Sequence, residues 1–471
     1  MKESDIPWLG PMPEHWALRR LRHVADLRVS NVNKKIVPGE RLVRLCNYVD
    51  VYKNDVIRSS MSFMRASATP DEISRFRLRI GDVIITKDSE DWKDIGVPAW
   101  VADDADDIIC GYHLAILRSY PSVILGRYLH WQLQSQPAQV QFSVAANGVT
   151  RYGLSHGAIK ETVVAMPPVA EQEAIIRFLN HADQRIRRYV LENRRLIKLL
   201  DEHKQVILER AITSGLNPTV RYRPSHITWL AEIPEHWDIR RNGRLFAQRN
   251  ETGFASLPIL EVSIRTGVRL REFSTSARKQ VMTDRSKYKR ALKGDIAYNM
   301  MRMWQGAVGV VPADGLVSPA YIVARPLGGV DVRYFNYLFR TTAYKAEIDA
   351  QSRGIVKDRN RLYWEDFKQI NSPYPPLEEQ SGIADSIDQS TCAVSRAIGQ
   401  AERDIGLLRE YRTRLITDVV TGKLDVRART AELNDDEDRP DTSGQQDIWA
   451  DEQEDSGAED SEEALDEVAR A

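Results

Sequence analysis

The sequence predicts an α+β protein with a pseudo-twofold internal duplication: two mostly-β domains with helices, joined by two long antiparallel coiled-coil helices. Three observations predict this class. Motifs return in the same order at nearly constant offsets. Two stretches of 45 residues carry an apolar seam in alternating steps of four and three. The stretches between them read as short strands bounded by turn residues. The resulting boundaries are a first domain over 1–166, a first long helix over 167–216, a second domain over 217–374, a second long helix over 375–427 and an acidic tail over 428–471.

The duplication rests on ordered anchors. Trp8-Leu9-Gly10-Pro11-Met12-Pro13-Glu14-His15-Trp16 returns as Trp229-Leu230-Ala231-Glu232-Ile233-Pro234-Glu235-His236-Trp237, 221 residues later. Pro167-Pro168-Val169-Ala170-Glu171-Gln172 returns as Pro375-Pro376-Leu377-Glu378-Glu379-Gln380, and Thr213-Ser214-Gly215-Leu216 as Thr421-Gly422-Lys423-Leu424, both at 208. Within the domains, Gly81-Asp82-Val83-Ile84 matches Gly294-Asp295-Ile296-Ala297, and Arg127-Tyr128-Leu129 matches Arg333-Tyr334-Phe335. The two Gly-Asp pairs read as turns leading into strands, because glycine tolerates the angles of a tight turn. Leu42–Cys46 and Ile259–Val262 read as strands, and Tyr128–Val140 and Tyr334–Ile348 as single helices. The repeated His-Trp beside proline reads as a packing and turn element, with Trp16 and Trp237 anchoring each domain on the helical frame.

The first long helix has its seam at Ile175, Leu179, Ala182, Ile186, Tyr189, Asn193, Leu196, Leu200, His203 and Ile207, and the second at the same positions plus 208. Both start after Pro-Pro and stop at Gly215 and Gly422. At 45 residues each is about 67 Å long. Laid antiparallel with ends level, Ile175 meets Leu415, Leu179 meets Tyr411, Tyr189 meets Ala401 and Leu196 meets Val394.

Composition bounds the function. No run of eighteen apolar residues occurs, which excludes a transmembrane helix, and the polar Met1–Asp5 start does not read as a secretory signal. Cys46, Cys110 and Cys392 are too few and too scattered for a disulfide framework or a zinc site, which points to a reducing cytoplasm. The net charge of −1 conceals segregation: 431–471 holds 17 acidic residues and 2 arginines, leaving 1–430 with 64 basic and 50 acidic residues, a net of +14. A basic body implies a polyanionic partner, and the like-charge tail reads as disordered.

Catalytic signatures are missing. There is no phosphate loop, no Gly-x-Gly-x-x-Gly and no Gly-x-Ser-x-Gly elbow, and Ser372-Pro373-Tyr374-Pro375 only scrambles the motif of amino-methyltransferases. No catalytic or metal-ligating residue is assigned. One weak echo of a nuclease exists in Asp71, Asp91 and Lys93, where two carboxylates and a lysine would surround a metal ion. Such short matches arise by chance, and Asp366-Phe367-Lys368 is another. Basic, polar and aromatic residues gather instead in corresponding loops. In the first half these are Lys87, Trp92 and Lys93, then Asn147, Thr150, Arg151 and Tyr152. In the second half they are Asn299, Arg302 and Trp304, then Arg353, Lys357, Arg359, Asn360 and Arg361. Arg, Lys and Asn supply the donors that read purine edges and hold phosphates, so these residues are the candidate DNA-binding set.

The Trp-x4-Pro-x-His-Trp start, the Pro-Pro-x-x-Glu-Gln helix start and the Gly-x-Leu stop, each present twice in order over about residues 5–427, resemble the specificity (S) subunit of type I restriction–modification systems. The resemblance implies two target-recognition domains separated by the helices, each reading one half of a split, asymmetric double-stranded DNA site. It implies a non-catalytic chain that docks two methyltransferase (M) subunits carrying S-adenosylmethionine and flipping an adenine, with motor–nuclease (R) subunits using ATP and Mg, in defence against foreign DNA. No cofactor is expected in this chain. The acidic tail has no counterpart in that pattern. Two other classes stay open on the residues alone: a sequence-specific nuclease using Asp71, Asp91 and Lys93, and an adaptor that binds protein through its tail.

Overall fold

The computed structural model describes residues 1–4, 6, 8–271, 285–354 and 360–433; the acidic tail from 434 onward lies outside them. The chain divides into two units. The first combines Met1–Arg195 with the described residues from Glu402 onward, and the second is Leu196–Ala401. Each unit therefore takes one domain with the start of one long helix and the stop of the other.

In the first unit, strand Ala17–Arg20 pairs antiparallel with Val163–Met166, which closes the domain's two ends on each other. The main sheet has five strands in the order Ala25–Val29, Leu114–Ser119, Val83–Thr86, Pro98–Val101, Val56–Ile57. Its central strands are unbroken apolar runs because both faces are buried. Val83, Ile85, Ala115 and Leu117 pack on one core; Ile84, Leu114 and Ile116 pack on another, under the sheet Met64–Ala68, Arg41–Cys46, Ile108–Cys110. Cys46 and Cys110 are register partners in that second sheet, both free and buried.

The second unit repeats the plan. Asp238–Arg241 closes on Asn371–Tyr374, and the main sheet runs Phe246–Arg249, Tyr321–Pro326, Ile296–Asn299, Val308–Val310. Its core is aromatic: Phe246 meets Phe335, Phe339 and Phe367 with ring centroids 5.4, 6.0 and 6.2 Å apart. The Gly-Asp turns do the same work in both domains. Asp82 accepts the Arg79 N–H at 2.9 Å and is gripped by Arg118, while Asp295 accepts the Leu292 N–H at 2.9 Å and is gripped by Arg249.

The two helices expected inside the domains each break in two, as Gly126–Gln134 with Gln136–Ala145 and Val332–Phe339 with Thr342–Gln351. The first break has a local cause. Pro137 has no N–H to offer the Leu133 carbonyl, and the Gln139 side chain bonds that carbonyl instead at 2.7 Å. At the second break Thr341 becomes an N-cap, its hydroxyl accepting the Tyr344 N–H.

The long helices are Val169–Ser214 (46 residues) and Leu377–Val420 (44 residues). The repeated motifs explain how each domain is seated on them. The Gln172 side chain accepts the Leu125 N–H and donates to the Val123 and Pro167 carbonyls; Gln380 does the same for Asp331, Gly329 and Pro375. Glu171 pairs with His15 at 2.9 Å and Glu379 with His236 at 2.7 Å. Trp16 and Trp237 are buried. At the helix stops, a Cβ on Gly422 would lie 2.4 Å from Pro13 and one on Gly215 3.2 Å from Trp237, so only glycine lets the chain turn this close to the anchors.

The seam differs from the expected one beyond its first turns. In the first unit Ile175, Leu179, Asp183, Ile186 and Val190 are buried, with Ile405, Ile416, Val419 and Val420 of the second helix, while Tyr189 and Tyr411 are exposed, as is Leu196 at the start of the second unit. In the second unit Leu208, Ile212, Ile383 and Ile387 share one core. The level-ended register sets Arg412 against Phe178, yet Arg412 bonds Asp183 at 2.6 Å, so the helices are displaced along each other.

That contact belongs to a largely buried ion cluster. Asp183 also holds Arg187 at 2.6 Å, and Asp55, from the first domain, holds Arg187 and, at 2.9 Å, Arg412. Gln134 donates to Asp55 at 2.8 Å. Burial pushes both carboxyls up, but attraction to Arg412 and Arg187 outweighs it and holds both below the usual carboxylate range. Among the described residues no helix is long and apolar enough to cross a membrane.

Candidate nucleic-acid interface

Each domain presents one pair of loops, built the same way. In the first, the strand after Gly81-Asp82 ends at Thr86 and releases the loop carrying Lys87, Trp92 and Lys93. The second loop is closed by the reciprocal backbone bonds of Asn147 and Gly153, at 3.1 and 2.9 Å, and docks on the first through the Leu154 N–H to the Lys87 carbonyl at 2.9 Å. Asp88–Ser89 and Tyr152–Gly153 then pair as a short antiparallel ladder. In the second domain the strand after Gly294-Asp295 ends at Asn299, Arg353 and Arg361 close the other loop at 3.0 and 2.9 Å, and the Leu362 N–H reaches the Met300 carbonyl at 2.9 Å. Leu154 and Leu362 are 208 residues apart, the offset of the helix motifs.

The side chains differ between the two pairs. In the first domain Trp92 is 43% exposed with Lys93 Nζ 5.3 Å from its ring centre. Asn147, Thr150 and Arg151 are exposed, and Tyr152 and Lys87 are half-buried. Gly148 makes the loop possible, since a Cβ there would lie 2.0 Å from the Arg151 carbonyl oxygen. In the second domain several expected residues build the loop. Asn299 is buried and its side-chain oxygen accepts the Met301 N–H at 2.9 Å. Trp304, half-buried, donates to the Met301 carbonyl at 3.0 Å. Asn360 donates to Asp349 at 3.1 Å, and the exposed Arg353 pairs with Asp366. Arg302 and Arg361 are half-buried, and Lys357 and Arg359 lie outside the described residues.

Sequence reading left out the neighbours of the first pair. Tyr48 and Tyr52, on the helix Tyr48–Tyr52, stack with centroids 5.5 Å apart, and the Tyr52 hydroxyl bonds Asp94. Burial pushes the Tyr48 hydroxyl up, more than a hydrogen bond with Ser89 pulls it back. The turn at Tyr112 and His113 adds a ring contact with Lys34 Nζ 6.0 Å over Tyr112. The i,i+4 tyrosines were the one signal available beforehand.

The geometry does not favour a nuclease. Asp71 sits in the first turn of helix Pro70–Phe76 with Arg75 3.5 Å away, and Asp91 accepts the Lys93 N–H at 2.9 Å. Among the described residues no group of three His, Cys, Asp or Glu is placed to hold a metal ion.

No protein-family model matches the chain. A putative type I restriction enzyme MjaX specificity subunit of Methanocaldococcus jannaschii is 21% identical over 444 residues, covering 90% of this chain and 97% of that protein. A chain solved in work on the complex assembly and conformational transition of the type I R-M system superposes with a TM-score of 0.61 at 16% identity, covering 88% of this chain and all of that one. The HsdS subunit from Thermoanaerobacter tengcongensis covers 88% of this chain and 98% of its own at 17% identity and a TM-score of 0.43. Two domains, each opened by the same anchors and seated on a shared pair of long helices, thus accompany similarity along nearly the whole chain to a type I restriction enzyme specificity subunit, and the chain has the fold found in a type I R-M system.

Proposed function

We propose that this chain is the DNA-recognition subunit of a type I restriction–modification complex. Each domain reads one half of a bipartite, asymmetric site, the helices set the spacer, and their outward faces dock methyltransferase subunits. One observation carries the reading: the two domains close their loop pairs with corresponding backbone bonds, Asn147 with Gly153 and Leu154 to Lys87 in the first, Arg353 with Arg361 and Leu362 to Met300 in the second, but furnish them with different side chains. Identical loops would suit a palindrome; different ones suit two unlike half-sites. The chain itself is non-catalytic. S-adenosylmethionine, ATP and Mg serve the partner subunits, including motor–nuclease subunits where these are present.

Arg151→Ala and Arg361→Ala test this. Each is expected to weaken recognition of one half-site only, by about 1–3 kcal/mol if the arginine makes a bidentate base contact. Methylation mapping of the assembled complex on DNA with randomised half-sites reads the result. An equal effect of either change on both half-sites would refute the two-reader arrangement.

The tail gives a second test. Removing 431–471 takes away a net charge of −15. Site choice is expected to persist, while non-specific binding strengthens and becomes more salt-sensitive. A changed target sequence after truncation would make the tail a reader. Methylation mapping reads the target sequence, and binding titrations on non-specific DNA at several salt concentrations read the affinity.

A further inference from the structure

Behind Arg151 lies a short polar chain that the proposed function does not use. Asp88 Oδ2 is 2.7 Å from His113 Nδ1, and His113 Nε2 is 3.5 Å from Arg151 Nη2. Both Asp88 and His113 keep only 20% of their side-chain exposure, whereas Arg151 is exposed. The roles are fixed by chemistry. Arginine can only donate, so Nε2 accepts; the carboxylate only accepts, so Nδ1 carries the hydrogen. Lys87 Nζ, 3.6 Å from Asp88, balances the carboxylate's charge. Gly153 leaves it room, since a Cβ there would lie 3.1 Å from Asp88 Oδ1.

We propose that His113, held by Asp88, is a positioning residue that presets the direction of Arg151 and so determines base choice in the first half-site. One guanidinium nitrogen is fixed from behind, and the rest of the fork meets the paired acceptors of a guanine edge without first losing its rotamer freedom. This rests on the proposed function. The second domain has Ala320 where the first has His113, each one residue before its matching strand, so the device serves one half-site only.

The test uses the full chain and a randomised duplex library. Arg151→Ala is expected to lose discrimination at one base pair on the order of tenfold or more. His113→Ala should lose about fivefold at that same base pair, with non-specific affinity unchanged. The double variant should lose no more than Arg151→Ala alone. His113→Gln, whose side-chain oxygen can accept from Arg151, should restore most of the loss, and it decides the matter if the alanine variant unfolds. The proposal is overturned if His113→Ala or His113→Gln weakens all DNA alike, if discrimination survives His113→Ala, or if the two losses multiply. If Arg151→Ala itself shifts no base preference, the loop reading falls as well, and that outcome is separate from failure of the relay alone.

Discussion

Arg412→Ala is expected to destabilise the first unit by about 3 kcal/mol, the lower end for a buried pair that loses one partner. The substitution leaves Asp55 and Asp183 with Arg187 as their remaining contact of the pair. Asp183 is 9% exposed and Asp55 19%, so the carboxylates recover little hydration. Denaturant unfolding of the full chain should show the transition of the first unit shifted and that of the second in place. The pH dependence has a definite sign. Both carboxyls are held below their ordinary value in the folded protein, so their stabilisation is complete above about pH 4 and is lost as pH falls through the lowered folded values. The variant lacks much of that stabilisation from the outset, so parent and variant should converge as the solution is acidified. A constant difference at every pH would show that packing of the arginine stem, and not its charge, holds the cluster.

Insertion of one heptad into both long helices, after Asn193 and after Ala401, is expected to lengthen the non-specific spacer without changing either half-site. The two sites lie at the boundary between the units, which falls after Arg195 and Ala401. Seven residues keep the seam on one face, and paired insertions keep the facing layers matched. The helices grow by about 10 Å at 1.5 Å per residue. At about 3.4 Å per base pair that is roughly three base pairs. Three base pairs also turn the far half-site by roughly 100°, which the heptad does not compensate, so affinity should fall unless the DNA twists. Methylation mapping on a library of variable spacers reads both effects. Full activity at the original spacer would show that the helices do not set the distance.

Pro-Pro and glycine mark the helix ends locally: the first long helix, expected over 167–216, is Val169–Ser214, whereas the second, expected over 375–427, is Leu377–Val420 and stops two residues before Gly422. The expected seam departs from the observed one after Leu179, where an apolar pattern puts Ala182 in place of the buried Asp183. The layer that follows Leu179 is Asp183, which is buried only because Arg187, one turn on in the same helix, and Arg412, from the other helix, neutralise it. Once the true layer is charged, a search for carbon drifts onto Tyr189, which faces solvent. The single helices expected around Tyr128 and Tyr334 failed for a similar reason. Their apolar periodicity continues through a break that Pro137 and Thr341 impose on the backbone.

The sequence by itself determined the duplication, the order of domains and helices, and the roles of its repeated motifs as anchors. These depend on local chemistry: glycine at a stop, proline at a start, tryptophan beside both. It also nominated candidate loops, because basic and aromatic residues are concentrated there. Only the tertiary structure decided which of those residues face outward. Asn299 and Arg151 are alike as hydrogen-bonding candidates, yet Asn299 is spent inside its own turn while Arg151 stands exposed on His113. Asn299 is taken up by a local turn, whereas the setting of Arg151 arises from contacts between segments far apart in the chain, Asp88 with His113 and Tyr152 with Ser89, which no local pattern encodes.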